Sequence, residues 1–429
     1  MKNSFFSVRL DENNALYEQA IKREHALYER GNSIRSEFDR DYTRLINSLA
    51  FRRLKHKTQV FLAPTNDHVC TRMEHVIHVK SVSETIAKYL GLNTDLTSAI
   101  AIGHDIGHAP FGHHGEDCLN TILKEQSNNT DTSKNSFANN ANGKKFWHER
   151  NSLFFADYIE TVQDPQGIER NLNLTYAVRD GLICHCGEID QLSITPRREA
   201  IDLYSIKQAG SVQPYTWEGC VVKISDKIAY LGRDLEDARR YHIIDMSAYR
   251  ALREIVANTL GVDFSSKAQA INASVIVNAL VADLCAHSSI EEGLCFSKNY
   301  FDFLTELKKF NIKYIYNHWR LVEFEKYATL VIKTVFDMLM RTFPYAASGK
   351  VGLSLKYFPQ LRDSWEDWLV KYSNYESAGT VDRKNSLHYE TLPVFDCTRI
   401  DSYTKCTVEY ISGMTDQFAI AIYNEIISF

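Results

Sequence analysis

The stretch that decides the fold runs from residue 103 to residue 116 and reads GHDIGHAPFGHHGE. The apolar pattern before it predicts a helix from about Thr94 into His104, and the four glycines together with Pro110 predict that a loop follows. Glycines in such a loop allow the backbone to approach a ligand closely. The stretch therefore predicts a binding loop at the end of a helix.

Within this stretch, His104 and Asp105 are adjacent, so the two side chains can hold one divalent cation. An imidazole nitrogen with a carboxylate oxygen suits Mn, Fe, Co, Ni or Zn, and Mg less well. A His-Asp dipeptide alone also occurs by chance on protein surfaces. His75, 29 residues earlier at the start of a predicted helix, and Asp226, on a distant predicted helix, complete a candidate set of two histidines and two aspartates.

The predicted helix around Asp226 carries further polar side chains on one face. Asp226, Tyr230 and Asp234 are spaced i, i+4, i+8, and Lys223 lies one turn earlier. At ~100° per residue the first three fall within about 80° of one another. Such a face is unusual on a helix that packs in a core. Without the other motifs, the pattern favours a solvated surface with a weak Lys223–Asp226 ion pair; together with them, it indicates a face that lines a site.

His113 and Glu116 form an i, i+3 pair just beyond the metal motif. A carboxylate that accepts a hydrogen bond from one imidazole nitrogen tunes the basicity of the other, which gives an acid or base that works near neutral pH. The pair is the candidate catalytic pair. The alternative is a loop histidine that is hydrogen-bonded for structural reasons only.

The rest of the sequence predicts a mainly α-helical protein. Only 19 glycines and 8 prolines occur in 429 residues, and hairpin signals are almost absent. Apolar residues recur at helical spacing from Met73 to Leu90, and the stretches 231–253 and 323–340 show the same period. Residues 126–145 are nearly all small, polar or charged and predict an exposed loop.

Composition excludes several classes of protein. With 49 basic and 54 acidic side chains, a net charge of -5, the chain is unlike a generic DNA-coating protein. No run of about 18 apolar residues predicts a membrane span, and the first residues lack the pattern of a secretory signal, so we expect a cytoplasmic location. Nine cysteines without a CxxC pair predict reduced thiols.

Together these motifs resemble the HD-domain deoxynucleoside triphosphate triphosphohydrolases, of which bacterial dGTPase is the type. The similarity occurs in ordered blocks along most of the chain. As they stand in this sequence, the blocks are RSEFDRDYTRLINSLAFRRLKHKTQVF at 35–61, TRMEH at 71–75, HDIGHAPFGHHGE at 104–116, LNLT at 172–175, GLICHCGE at 181–188, the helix at 218–237, and YISGMTD at 410–416.

The resemblance implies an all-α fold, with an N-terminal region and HD catalytic core at residues 1–260 and a helical C-terminal extension at 261–429 packed on the core. It implies that His113 is the catalytic histidine and that Glu116 supports it. It also implies one divalent metal ion, whether Mn, Mg, Fe, Co, Ni or Zn. The implied metal ligands are His75, His104, Asp105 and Asp226.

The activity implied by the resemblance is the cleavage of a dNTP, dGTP above the others, to deoxynucleoside and tripolyphosphate. Gln59 matches a glutamine that contacts the sugar, and Tyr230 and Asp234 match residues that pack on and hydrogen-bond the deoxyribose. Arg72 lies where an arginine approaches the phosphates. The resemblance further implies a homo-oligomer, with a second dNTP as allosteric activator and single-stranded DNA as an effector.

Three positions depart from the family pattern. His78 stands where the family has a glutamate, and Ala109 replaces a common proline. Cys184 stands where many members have a lysine that touches the phosphates, which leaves His185 and Lys223 as candidate phosphate contacts.

Two other functions remain open from the sequence. The same fold could hydrolyse another phosphoester, such as a monophosphate, a cyclic nucleotide or a guanosine alarmone. Alternatively, the chain could be a low-turnover nucleotide sensor or single-strand-binding protein, which would require basic grooves with interleaved aromatic side chains.

Overall fold

The computed structural model describes residues 6, 8–27, 34–61, 69–129, 145–186, 191–261, 272–378 and 393–428, and helices dominate them, as predicted. In chain order the helices are α1 (Tyr17–Ala20), α2 (Glu37–Asn47), α3 (Leu49–Arg53), α4 (Arg72–Leu90), α5 (Thr94–Gly103), α6 (Gly112–Asn129), α7 (His148–Phe154), α8 (Tyr176–Cys184), α9 (Trp217–Arg240), α10 (Met246–Leu260), α11 (Ala273–His287), α12 (Lys298–Asn311), α13 (Trp319–Met340), α14 (Phe343–Ala346), α15 (Val351–Ser354), α16 (Pro359–Tyr372), α17 (Ile400–Ser412) and α18 (Asp416–Ile427).

Short 3-10 and π-helical segments and four short strands complete the described structure. The 3-10 segments are Leu54–His56 and Leu203–Ser205, and the π-helical segments are Phe155–Ile159 and Ile312–Tyr316. Strand β1 (Thr161–Gln163) pairs antiparallel with β2 (Glu169–Asn171), and β3 (Ser193–Ile194) pairs antiparallel with β4 (Leu294–Cys295). No helix among the described residues has the length and apolar character needed to cross a membrane.

Helix α4 shows why the predicted period was reliable there. Thr71 and Glu74 form a reciprocal capping box at its start, and Gly91, with a φ of 73°, ends it in a left-handed conformation. The apolar positions spaced three and four apart are all buried, from Val76 to Leu90. The helix packs on α5 and α9. Helices α4 and α9 carry His75 and Asp226, and His104 and Asp105 directly follow α5.

Helix α5 ends at Gly103, one residue before the predicted His104, and the loop after it is shorter than predicted. Helix α6 already begins at Gly112, so His113 and Glu116 lie on a helix and not in a loop. Gly107 approaches another part of the chain and not a ligand, because a Cβ at this position would lie 2.0 Å from the backbone nitrogen of Ser152 in α7. This glycine lets two segments of the chain meet.

Two predicted element boundaries were wrong. The stretch 231–253 is not one helix: α9 ends at Arg240 and α10 begins at Met246, with His242 at a positive φ of 55° between them. The predicted loop 126–145 begins with helical residues up to Asn129, and residues 130–144 lie outside the described part of the chain. Residues 187–188, at the end of the GLICHCGE block, also lie outside it.

The core joins distant parts of the sequence. One hydrophobic cluster contains side chains from α5 and α8 together with side chains from α13, α16 and α17. Asp416, at the start of α18, accepts hydrogen bonds at 2.9 Å from the backbone N–H groups of Phe111 and Thr58. The C-terminal helices therefore hold the loop that follows α5.

Candidate metal and catalytic site

A cavity of about 500 Å³ opens where the loop after α5 meets helices α4, α6, α7 and α9 and the C-terminal helices. Its lining includes most of the predicted site residues and several that were not predicted. The lining includes Gln59, Arg72, His75, Asp105, His108, His113, His148, Glu149, His185, Cys186, Asp226, Tyr230, Asp234, Lys308, Tyr316 and Phe324.

Three of the four predicted metal ligands converge directly. One ring nitrogen each of His75 and His104 and one carboxylate oxygen of Asp226 lie within 4.8 Å of one another. His75 Nε2 lies 2.9 Å from Asp226 Oδ1, and His104 Nε2 lies 3.8 Å from the same oxygen. Burial opposes ionisation of Asp226, but its hydrogen bond with His75 lowers the pKa to about 2, so Asp226 is an anion at neutral pH.

Asp105, the fourth predicted ligand, adjoins this group and is held on its other side. Its Oδ1 lies 3.5 Å from His104 Nε2 and 3.3 Å from His108 Nε2, and its Oδ2 accepts a hydrogen bond from Arg72 at 2.7 Å. Burial opposes ionisation of this carboxyl, but the neighbouring histidines and Arg72 hold its pKa well below the usual range. Arg72 is 2% exposed, and its Nε and second terminal nitrogen have no hydrogen-bond partner among the described residues.

His113 and Glu116 lie in the first turns of α6, and a third residue joins them. The Glu116 carboxylate accepts hydrogen bonds from the ring Nδ1 of His148, at 2.9 Å, and from the backbone N–H of His148. The rings of His113 and His148 have centroids 5.3 Å apart, and His148 stacks on His108 at 3.8 Å. The sequence predicted a pair of Glu116 with His113, and His148 was not among the predicted site residues.

His148 is protonated at neutral pH in this environment. Burial favours the neutral ring, but the carboxylates of Glu149 and Glu116 raise the pKa of His148 to about 10. Desolvation likewise opposes ionisation of Glu116, and His148 nevertheless lowers the pKa of that carboxyl. The cavity wall therefore carries a charged His148–Glu116 pair.

The polar face predicted on α9 lines the cavity in part. Tyr230 and Asp234 belong to the lining, and Tyr316 donates a hydrogen bond to Asp234 Oδ2 at 2.5 Å. Burial raises the pKa of Asp234 to about 7. Gln59 lies nearby, and its buried side-chain oxygen has no hydrogen-bond partner in the part of the chain that the structure describes.

Lys223 departs from the prediction. It is 1% exposed and does not line the cavity; its Nζ donates to Gln213 Oε1 at 3.1 Å. Lys223 precedes Asp226 by three residues, yet its ammonium reaches away toward the loop before α9, so it is not placed to contact a ligand in the cavity. The solvated face that was the alternative is also excluded, since α9 is buried along most of its length.

At or beside the positions that depart from the family pattern, His185, Cys184 and His78 lie in three different environments. His185 lines the cavity at 1% exposure, and burial together with His104 and His148 lowers its pKa to about 3. The Cys184 thiol lies 3.7 Å from Asp180 and does not line the cavity. His78 is outside the cavity as well, in a small groove beside Arg233.

Two groups of residues that line the cavity were not predicted from the sequence. His148 and Glu149 belong to the segment WHERN at 147–151, whose histidine–glutamate pair was a usable signal. Tyr316, Lys308 and Phe324 come from the C-terminal helices, where no motif marks them. Their contribution depends on packing between distant segments.

The chain is similar to known proteins both in its HD region and along most of its length. The HD domain model matches residues 72–231. Proteins named deoxyguanosinetriphosphate triphosphohydrolase-like are similar along most of the chain: those of Caldanaerobacter subterraneus and Rickettsia peacockii are each 29% identical, covering 92% of this chain and 85% and 92% of their own lengths. A protein of the same name from Desulfatibacillum aliphaticivorans is 42% identical over 211 residues, 49% of either chain. The chain therefore contains a region similar to the HD domain and is similar along most of its length to proteins named deoxyguanosinetriphosphate triphosphohydrolase-like.

Proposed function

We propose that this protein is a metal-dependent deoxynucleoside triphosphate triphosphohydrolase that releases deoxynucleoside and tripolyphosphate, with dGTP as its preferred substrate. One observation carries the proposal: a His–Asp cluster suited to a divalent cation shares a cavity with the residues expected to hold a deoxyribose. The names of the relatives support this class of substrate.

The residues present fit a divalent metal ion. His104 donates from Nδ1 to the carbonyl oxygen of Ala101 at 2.7 Å, so its Nε2 carries the lone pair. Within the residues that the structure describes, this buried nitrogen has no hydrogen-bond partner. Such a backbone contact orients histidine ligands in metal sites. His75, Asp226 and Asp105 would complete the set. A metal bound there supplies a Lewis acid for a phosphoryl oxygen and lowers the pKa of water.

Arg72 and His113 would act on the triphosphate. Arg72 is oriented by Asp105, and its remaining buried N–H groups can donate to phosphate oxygens, for which a guanidinium is well suited. His113 would donate a proton to the 5′-oxygen as it leaves phosphorus. The positively charged His148 beside it would favour binding of the anionic substrate.

The sugar pocket would be formed by Gln59, Tyr230 and Asp234. The Tyr230 ring placed against C2′ would leave no room for a ribose hydroxyl. Gln59 and Asp234 would hydrogen-bond the 3′-hydroxyl, and Tyr316 would orient the Asp234 carboxyl through the hydrogen bond already described.

The test is an assay of the purified chain with Mn²⁺ and each dNTP, separately and in mixtures, with chromatographic analysis of all phosphate products. We expect tripolyphosphate and deoxynucleoside in equal amounts, with dGTP turned over fastest. Release of pyrophosphate or orthophosphate alone would assign the chain to another phosphohydrolase reaction. Binding without turnover would identify a nucleotide sensor. Either result would reject the proposal.

A further inference from the structure

The aspartate at the start of α18 joins two segments of the chain that carry site residues. Asp416 is 2% exposed and does not line the cavity. Its Oδ2 accepts a hydrogen bond from the backbone N–H of Thr58, and its Oδ1 accepts one from the backbone N–H of Phe111, both at 2.9 Å. Thr58 directly precedes Gln59, and Phe111 lies two residues before His113. One carboxyl group therefore connects the segment of Gln59 with the segment of His113.

The backbone at the start of α6 depends on such a contact to keep its conformation. Phe111 and Gly112 both have a φ of 64°, so two consecutive residues lie in the left-handed region. Glycine adopts this conformation readily, but for a residue with a side chain it costs free energy and persists only where neighbouring groups hold it. The hydrogen bond from the Phe111 N–H to Asp416 is one such contact, and the edge-on packing of the Phe111 ring against Phe324, at 5.8 Å between centroids, is another. This turn sets the direction in which α6 begins.

The start of α6 also lies directly against the segment of Gln59 and against Arg72. A Cβ at Gly112 would lie 2.9 Å from a terminal nitrogen of Arg72 and 3.5 Å from the carbonyl oxygen of Gln59. The backbone N–H of Arg72 in turn donates to the carbonyl oxygen of Lys57 at 3.0 Å. A shift of either segment would therefore change the distances among the proposed sugar contact, the proposed phosphate contact and His113.

We infer that Asp416 is a positioning residue for the reaction, because its carboxylate sets the position of His113 relative to Gln59. This sets the distance from the proton donor to the 5′-oxygen of a nucleotide whose sugar is bound. The inference rests on the proposed function. Proton transfer requires donor and acceptor within hydrogen-bond distance, and a misplacement of about 1 Å can lower a rate ~100-fold. Asp416 does not reach the cavity, so it acts only through the two segments that it joins.

The test is a double-mutant cycle of Asp416→Asn with His113→Ala, assayed with dGTP and Mn²⁺. The Asn amide keeps one acceptor oxygen and turns an NH2 group toward the other backbone N–H, so one of the two hydrogen bonds is lost. The matched control is Asp283→Asn on α11. Asp283 is also buried and accepts a hydrogen bond from a backbone N–H, that of Ser297 at 2.8 Å, but it does not line the cavity.

We expect Asp416→Asn to lower kcat about 10- to 100-fold when His113 is present and less than about threefold in the His113→Ala background. KM for dGTP should change less than about threefold in either background, since the proposed phosphate and sugar contacts are retained. Asp283→Asn should keep the wild-type kcat. Hydrogen exchange, measured by mass spectrometry, should become faster in peptides that cover residues 56–60 and 108–113 in Asp416→Asn and not in Asp283→Asn.

Equal losses of kcat in the two backgrounds would overturn the inference, because a smaller folded fraction lowers both by the same factor. Wild-type kcat in Asp416→Asn would overturn it as well. If Asp416→Asn fails to fold, Asp416→Glu replaces it in the cycle, since Glu keeps both acceptor oxygens but displaces them by one methylene. A wild type that does not turn over any dNTP rejects the proposed function, whereas these outcomes with an active wild type reject only the role of Asp416.

Discussion

His148 shows how a single buried side chain changes the chemistry of this cavity. Its ring Nδ1 lies 2.9 Å from the Glu116 carboxylate and 3.5 Å from the Glu149 carboxylate, and the ring is stacked on His108. An imidazole whose nitrogen faces two carboxylates stays protonated through neutral pH. Because Glu116 is hydrogen-bonded to His148, the proton transfer assigned to His113 involves a network of three residues and not an isolated pair.

The role of His113 is testable by truncation. Replacing His113 by Ala removes the proposed proton donor but none of the predicted metal ligands, so metal content should stay unchanged while kcat falls by about two to four orders of magnitude. Steady-state kinetics and elemental analysis of the same preparation measure both effects. His114→Ala is the matched control, because that neighbouring ring contacts Thr329 instead. Wild-type turnover in His113→Ala would remove His113 from the mechanism.

Tyr230 should determine the preference for deoxyribose. Truncation to Ala opens space at the proposed C2′ position, so the ratio of kcat/KM for dGTP to that for GTP should fall about ten- to a hundred-fold. Tyr230→Phe keeps the ring and removes only the hydroxyl, so it should retain the wild-type ratio. If the Phe variant loses discrimination as well, the selection depends on a hydrogen bond and not on steric exclusion.

For individual helices, the sequence predicts the boundaries correctly where local sequence signals agree with the packing. Helix α4 has a capping box, a regular apolar stripe and a terminal glycine, and all three predict the same boundaries. The break between α9 and α10 was missed because the intervening residues, YHIID, contain neither glycine nor proline. His242 adopts a positive φ there, a conformation that only the surrounding packing can impose.

The contact between the loop after α5 and helix α7 gives a prediction at this level. Gly107→Ala would place a Cβ 2.0 Å from the backbone nitrogen of Ser152 and 2.4 Å from the backbone carbon of Asn151. Backbone cannot yield as a flexible side chain does, so the free energy of unfolding should fall by about 3 kcal/mol, measured by urea denaturation. Gly413→Ala is the control, because its Cβ would meet its nearest atoms at 3.4 Å. Equal stability of the two variants would contradict the predicted contact.

At the scale of the whole molecule, buried polar side chains connect segments that are far apart in sequence. Asp416 bonds the backbone at Phe111 and Thr58, and the Lys57 ammonium donates to the carbonyl oxygens of His108 and Ser412. The motif residues of the metal set could be predicted because short stretches carry them. The position of Tyr316 in the cavity lining could not be predicted, since it depends on where these long-range contacts place the C-terminal helices.

Glu218 is another such connection. In the first turn of α9, its Oε1 accepts hydrogen bonds from the backbone N–H groups of Asn93, at 2.8 Å, and Leu10, at 3.4 Å. It is 1% exposed, and burial raises its pKa from 4.5 to about 7. The N-terminal segment, the cap of α5 and the start of α9 therefore meet at one carboxyl group that resists ionisation.

This carboxyl should make folding stability depend on pH in a defined direction. Between pH 4.5 and about 7 the folded state holds a proton that the unfolded state has released, so the contribution of Glu218 is fully present below pH 4.5 and is lost as pH rises through about 7. The loss amounts to about 3 kcal/mol. Glu218→Gln keeps an oxygen that can accept both hydrogen bonds but cannot ionise, so its free energy of unfolding relative to wild type should rise by that amount from pH 4.5 to pH 8. Urea denaturation of both proteins across this range measures the difference between their free energies of unfolding. The pH effects of all other titratable groups are common to both proteins, so they cancel in this difference. A difference that stays constant with pH would show that Glu218 ionises equally in the folded and unfolded chain.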